Sequence, residues 1–159
     1  MDHAGRTQLV VRGLGRAEIA IGSLTLVPDA DMLFPLALVL AQRAGERISR
    51  VALRELIWPS VSEKAGRHSL RQGLYRLRAA GLVSEDRGDE IHIDPSLVDS
   101  DITQALLPGW PEAAALRDIE SAATVLPGFA PANGSALGEF AEQLRARVAA
   151  QHRRALVHR

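Results

Sequence analysis

The chain has 159 residues and a formal net charge of zero, from 19 basic and 19 acidic residues. This length corresponds to one ordinary domain or two small ones, and the zero net charge argues against a protein that coats nucleic acid by bulk charge. The absence of cysteine excludes disulfides and thiolate metal sites. The sequence has neither an apolar run long enough for a membrane span nor a signal-peptide pattern, so we expect a cytoplasmic protein.

The first part of the chain predicts a small antiparallel sheet. Three short, largely apolar segments occupy residues 8–14, 17–21 and 24–27, and turns beginning at Gly15 and Gly22 separate them. Short strands joined by glycine turns are typical of an antiparallel meander. The sequence therefore predicts three strands before the first helix.

Two helices are predicted next. The first is apolar on several sides, begins after a capping aspartate at Asp29 or Asp31, and ends near Gly45. The second begins after Ser49 as N-cap and stops at Trp58, which precedes a proline.

A third helix is predicted at about Glu63–Ala80, with Ser60 or Ser62 as its N-cap and Gly81 at its end. Its inward stripe has the helical spacing i, i+4 and i+7. The stripe consists of Leu70, Leu74 and Leu77.

A β-hairpin is predicted after the third helix, with strands at 82–85 and 90–93 around a turn that contains Gly88. Residues 95–100 have the composition of a junction. Beyond them, three further helices are predicted at residues 101–107, 112–126 and 136–158.

The third helix carries the candidate site. Between Lys64 and Arg78 the sequence holds five basic residues and no acidic one, and a helix of this kind fits the major groove of DNA. Arg71 and Gln72 suit base edges, because their paired hydrogen-bonding groups match guanine and adenine. The remaining candidates suit phosphate contacts or lie on the same outward face: Lys64, Arg67, His68, Tyr75 and Arg76.

Arg87, at the tip of the hairpin, is the second candidate contact. An arginine in such a wing can enter the adjacent minor groove. Acidic neighbours on both sides of Arg87 would repel phosphate. A solvated arginine-rich surface without nucleic-acid contacts is the alternative interpretation of both elements.

The segments at residues 48–59 and Ser69–Arg78 (SLRQGLYRLR) resemble the DNA-binding half of the Streptomyces antibiotic regulatory proteins (SARP). The resemblance implies a response-regulator-like winged helix-turn-helix with a leading N-terminal antiparallel sheet. Members of this family usually have alanine where Gly73 stands in this chain. The family continues with a bacterial transcriptional activator domain, an all-helical module of tetratricopeptide-like pairs.

The resemblance extends into the C-terminal part of the chain and implies its organisation. Three segments, Val98–Asp101, Thr124–Phe129 and Glu139–Arg147, are similar to the opening helices of the activator domain. We expect an α+β fold with a winged-helix DNA-binding domain at residues 1–98 and an all-α segment at residues 99–159. The activator domain of the family is usually longer, so the chain is either a fragment of a larger regulator or a truncated form.

The resulting hypothesis is a transcription regulator that binds double-stranded DNA, with RNA polymerase and a second copy of the chain as further partners. An enzyme is disfavoured, because the histidines lack metal-ligand spacing and the glycines after Gly13 lack the third glycine of a dinucleotide-binding loop. No cofactor is expected. A winged-helix adaptor that docks proteins without binding DNA is the alternative function.

Overall fold

The computed structural model describes residues 8–107 and 124–157. The chain divides into two compact units, the first formed by Met1–Val10 and Ile19–Asp99, the second by Val11–Glu18 and Ser100–Arg159. The sequence predicted two domains that meet between residues 98 and 99. This domain boundary stays a prediction.

Strands and helices together give the chain an α+β architecture. The strands of its larger sheet are β1 Leu9–Arg12, β2 Glu18–Ile21, β3 Leu24–Leu26 and β7 Val98–Ser100. The sheet order is β3-β2-β1-β7, and β2 and β3 are antiparallel, with Ile19 opposite Leu26. The three N-terminal strands were predicted, whereas the prediction of a junction at residues 95–100 was wrong for its second half, which is β7.

Helix α1, Leu33–Gln42, is central to the first unit, since nine of its ten residues are buried. Its N-cap is Met32, which makes no side-chain cap, but the Asp31 carboxylate accepts a hydrogen bond from the Leu33 N–H at 3.2 Å. The predicted end at Gly45 was wrong. The helix ends three residues earlier, and Gly45, with a φ of 94°, lies in the turn that follows.

Strand β4, Arg47–Ser49, and helix α2, Arg50–Ile57, come next. The side chain of Ser49 accepts a hydrogen bond from the Ala52 N–H at 3.2 Å, which confirms Ser49 as the N-cap of α2. The sequence did not predict β4, because a three-residue strand exists only through its pairing with a strand distant along the chain.

Helix α3, Glu63–Ala80, has the predicted bounds. Ser62 caps it by accepting from the Ala65 N–H at 3.2 Å, and Gly81 follows it with a φ of 124°. These caps satisfy backbone groups that the helix itself leaves unpaired. The buried residues of α3 are Gly66, Leu70, Gly73, Leu74 and Leu77.

Two glycines let α3 approach its neighbouring helices closely. A Cβ atom on Gly66 would lie 2.7 Å from Cγ of Arg54 in α2, and one on Gly73 would lie 2.7 Å from Cδ2 of Leu36 in α1. Gly66 and Gly73 are seven residues apart, two helical turns, and so share one stripe. This stripe faces the supporting helices and leaves the opposite face of α3 outward.

A hairpin of β5, Glu85–Arg87, and β6, Glu90–His92, follows α3. It pairs with β4 in the order β4-β6-β5. Gly88 opens the two-residue turn with a φ of 55°, as such loops commonly require. The hairpin was predicted, but its first strand begins three residues later than predicted.

The second unit contains helices α4, Asp101–Ala105, and α5, Ala136–Val157. Both were predicted. Residues 112–123 of the predicted middle helix lie outside the described residues, and residues 124–126 are not helical, which corrects the end of that prediction. The buried residues along α5 are Leu137, Ala141, Leu144 and Val148.

Arg145 of α5 fixes the segment before that helix. Its guanidinium donates hydrogen bonds to the carbonyl oxygens of Val125 at 3.0 Å, Leu126 at 3.0 Å and Phe129 at 2.6 Å. Leu126 has a φ of 54°, a conformation uncommon for a side chain of this type. The arginine satisfies the carbonyl groups of a segment that cannot form regular structure of its own.

Asp101 joins the start of α4 to the segment at Gly13 and Leu14 within the second unit. Its two carboxylate oxygens accept from the backbone N–H groups of Gly13 at 2.7 Å and Leu14 at 3.2 Å. Burial raises the pKa of this carboxyl above its ordinary value of 3.8, and the hydrogen bonds from these N–H groups oppose that shift.

The close approach at Gly73 generates a stability prediction. Gly73→Ala should lower the free energy of unfolding by about 1 kcal/mol, because crowding against buried Leu36 outweighs the gain in helix propensity. Leu36→Val removes the crowded Cδ2 atom, so the double variant should be less destabilised than the sum of the two single variants. Denaturant unfolding measures all three, and a more stable Gly73→Ala protein would contradict the close packing.

Asp101 generates a pH prediction. Since its folded pKa is raised, its favourable contribution is fully present below the unfolded pKa and is lost as the pH rises through the folded pKa. The advantage of wild type over Asp101→Asn in the free energy of unfolding should therefore shrink as the pH rises above the ordinary carboxyl pKa of 3.8 and through the raised folded pKa, as urea titrations at a series of pH values would measure. An advantage that grows with pH would mean that the two backbone hydrogen bonds outweigh burial.

Candidate nucleic-acid interface

The outward face of α3 and the hairpin carry all the candidate residues. Successive residues of a helix advance by about 100°, so the buried leucine stripe directs the intervening side chains to solvent. Tyr75 is 73% exposed, unusual for a large aromatic side chain with only a packing role. The exposed candidates are Lys64, Arg67, His68, Arg71, Gln72, Tyr75, Arg76 and Arg87.

Ion pairs hold three of the arginines of α3. Arg67 pairs with Glu63 one turn earlier. Arg76 donates from Nη1 to Oδ2 of Asp31 at 2.8 Å. Both pairs are exposed to solvent, so each contributes little to stability.

Arg78 joins α3 to the hairpin. Its guanidinium donates to Oδ2 of Asp86 in β5 at 2.6 Å and to Oγ of Ser84 at 3.0 Å. Arg50 of α2 donates to the same Asp86 oxygen at 3.1 Å. Asp86 therefore connects α2, α3 and the hairpin, and it fixes the hairpin beside α3.

Arg76 and Arg78 lie on opposite flanks of α3. Two residues along a helix correspond to a rotation of about 200°. The pair with Asp31 lies on the side of α1, and the pair with Asp86 lies on the side of the hairpin. The strip between these flanks holds His68, Gln72 and the exposed Tyr75.

The remaining cations of the interface are uncompensated within the described part of the chain. Lys64 and Arg71 on α3 and Arg87 on β5 form no ion pair or hydrogen bond with any described residue. Two of these three lie in the N-terminal half of α3. Positive charge available to a ligand is therefore concentrated at that half and at the hairpin.

The outward face of the three-stranded hairpin sheet alternates charges. Arg47, His92 and Glu85 form one cross-strand row, and His92 Nδ1 lies 3.9 Å from the Glu85 carboxylate. The next row places Arg87 opposite Glu90. Arg87 thus reaches solvent beside an acid, as its sequence neighbours indicated.

Sequence analysis missed the roles of Asp31 and Asp86. Asp31 was interpreted only as a helix cap, and Asp86 only as part of an acidic turn. Asp31 pairs with Arg76, 45 residues away, and Asp86 pairs with Arg78 and with Arg50, 8 and 36 residues away. No local pattern signals pairs of such separation, although the excess of acids beside a basic helix was a sign of compensation.

Within residues 8–107 and 124–157, no three histidine, aspartate or glutamate side chains are grouped so that they could hold a metal ion. In the same part of the chain, no helix is both long and apolar enough to cross a membrane.

No protein-family profile matches the sequence, and no curated protein matches it at a significant level. Among solved structures, the chain is similar to Mycobacterium tuberculosis EmbR in complex with a low-affinity phosphopeptide, with a TM-score of 0.59 and 12% sequence identity. The alignment covers 92% of this chain and 44% of that chain, so this chain spans less than half the length of EmbR.

The likeness supports the α+β fold described above. At 12% identity it concerns the fold alone.

Proposed function

We propose that this chain is a transcription regulator that binds double-stranded DNA in a sequence-dependent manner through α3. The observation that carries the proposal is the outward face of this 18-residue helix. That face offers Lys64 and Arg71 without compensating acids among the described residues, and its buried stripe fixes it against α1 and α2.

In this proposal α1, α2, α3 and the hairpin act as a winged helix-turn-helix, and the helices of the second unit correspond to the start of a tetratricopeptide-like activator segment. The fold of EmbR supports this assignment. Arg71 and Gln72 contact base edges in the major groove. Lys64, Arg67 and His68 in the first turns of α3, and Tyr75 about three turns after Lys64, contact phosphates and fix the register of the helix.

Arg87 supplies a second contact, in the minor groove beside the helix. Asp86 supports this geometry, because its bonds to Arg50 and Arg78 fix the distance between hairpin and helix. A wing held in this way loses little conformational freedom on binding, which favours affinity.

A cytoplasmic regulator of this kind would act on RNA polymerase and could bind as a homodimer; no enzymatic activity is proposed. The alternative function is a protein-docking adaptor. A groove of about 710 Å³ in the second unit favours it, lined by Val125, Leu126, Phe129 and one side of α5. Dependence of duplex binding on salt discriminates the two functions.

The first functional prediction concerns salt. If Lys64 at a phosphate and Arg71 and Arg87 in the grooves each displace about one counterion from the duplex, the logarithm of duplex affinity should fall against the logarithm of salt concentration with a slope of about −3. Fluorescence anisotropy with a labelled duplex of random sequence measures the slope. Binding that is insensitive to salt, or no binding at about 50 mM salt, would favour the adaptor.

The second prediction separates base contacts from phosphate contacts. Arg71→Ala should cost about 1–3 kcal/mol on a duplex selected from a random library and relax its preference at one base position. The matched variant Lys64→Ala should weaken selected and random duplexes alike and flatten the salt slope by about one unit.

Unchanged thermal melting is the control for both variants, since both side chains are exposed. Equal losses for Arg71→Ala on every sequence would instead assign Arg71 to phosphate.

A further inference from the structure

Asp31 is held in place by the backbone on which it lies. One of its carboxylate oxygens accepts from the Leu33 N–H at 3.2 Å, and its own N–H donates to the Asp29 carboxylate at 2.8 Å. Its other oxygen pairs with Arg76 at 2.8 Å. The backbone before α1 therefore holds a negative charge beside the outward side of α3.

This fixed charge acts on any phosphate that approaches Arg76. The side chains of Arg76 and Asp31 are 50% and 48% exposed, so a phosphate that contacted Arg76 would also approach the carboxylate. It would meet a guanidinium already neutralised and an oxygen that repels it. Arg76 is thus unlike Lys64 and Arg71, which have no acid partner among the described residues.

The opposite flank shows the same arrangement. Asp86, on the hairpin, neutralises Arg78 at 2.6 Å. Both cations in the C-terminal turns of α3 are therefore compensated by acids from outside the helix. Neither ion pair includes Arg71 or Gln72, the residues proposed to contact bases.

We propose that Asp31 limits the affinity for DNA: by pairing with Arg76, it removes one phosphate contact and lowers affinity for duplexes of any sequence. The inference rests on the proposed DNA-binding function. Phosphate contacts supply most non-specific affinity, whereas base contacts supply discrimination. The loss of a phosphate contact therefore lowers affinity for selected and random duplexes alike, and the preference among sequences stays with Arg71 and Gln72.

The test uses the full chain and a duplex of random sequence. Asp31→Asn keeps an oxygen that can accept from the Leu33 N–H but removes the charge that holds Arg76. We expect Asp31→Asn to bind about three- to tenfold more tightly than wild type at about 50 mM salt, with a salt slope steeper by about one unit. The double variant Asp31→Asn with Arg76→Ala should lose both effects.

Asp29→Asn is the matched control, because it removes the same charge from the same turn while Asp29 has no pair with Arg76 among the described residues. Equal gains in both variants would overturn the proposal in favour of bulk charge. Weaker binding by Asp31→Asn would also overturn it, since Asp31 would then orient Arg76 toward DNA.

Failure of the proposed DNA-binding function can be distinguished from failure of the role of Asp31. The DNA-binding function fails if wild type shows no salt-dependent duplex binding, and the proposal for Asp31 fails with it if Asp31→Asn shows none either. Salt-dependent binding by wild type that Asp31→Asn leaves unchanged would overturn only the role of Asp31.

Discussion

The close approach of α1 and α2 to α3 is the constraint on which the rest of the first unit depends. Gly66 and Gly73 leave no room for a Cβ atom at the two contacts with Arg54 and Leu36. Helices that touch through such positions have a fixed rotation, because any turn of α3 about its axis would bring a side chain into the contact. The outward strip of α3, and with it the candidate interface, is set by packing on its inner side.

Much of this architecture could be predicted from local signals. Serine caps, leucine spacing and glycine stops gave the bounds of α3, because each acts within a few residues. The three-residue strands β4 and β7 escaped prediction, because they exist only through pairing with strands far along the chain. The prediction that α1 ends at Gly45 was wrong for a related reason. Gly45 lies in the turn leading to β4, where its positive φ serves the turn rather than the end of α1.

Some features of the candidate site could likewise be predicted from local sequence, and others could not. Exposure of Lys64, Arg71 and Gln72 follows from helical periodicity, which the sequence displays directly. The neutralisation of Arg76 by Asp31 does not follow from periodicity, because it depends on where the turn before α1 passes α3. Sequence analysis assigned Arg76 to phosphate from its charge alone, and the tertiary structure supplies the acid that this assignment lacked. That role for Arg76 stays a prediction, and the ion pair with Asp31 opposes it.

The zero net charge of the chain is reflected locally in α3, where acids pair with exposed arginines. An exposed ion pair stabilises a fold by about 0–1 kcal/mol, too little for Asp31 or Glu63 to matter greatly to folding. Each acid neutralises one exposed arginine of α3, Asp31 the side chain of Arg76 and Glu63 that of Arg67. These acids therefore change the charge of the outward surface more than they change the stability. On α3 and the hairpin, the described arginines and lysine without an acid partner are Lys64, Arg71 and Arg87, and under the proposed function these are the charges that a duplex would meet.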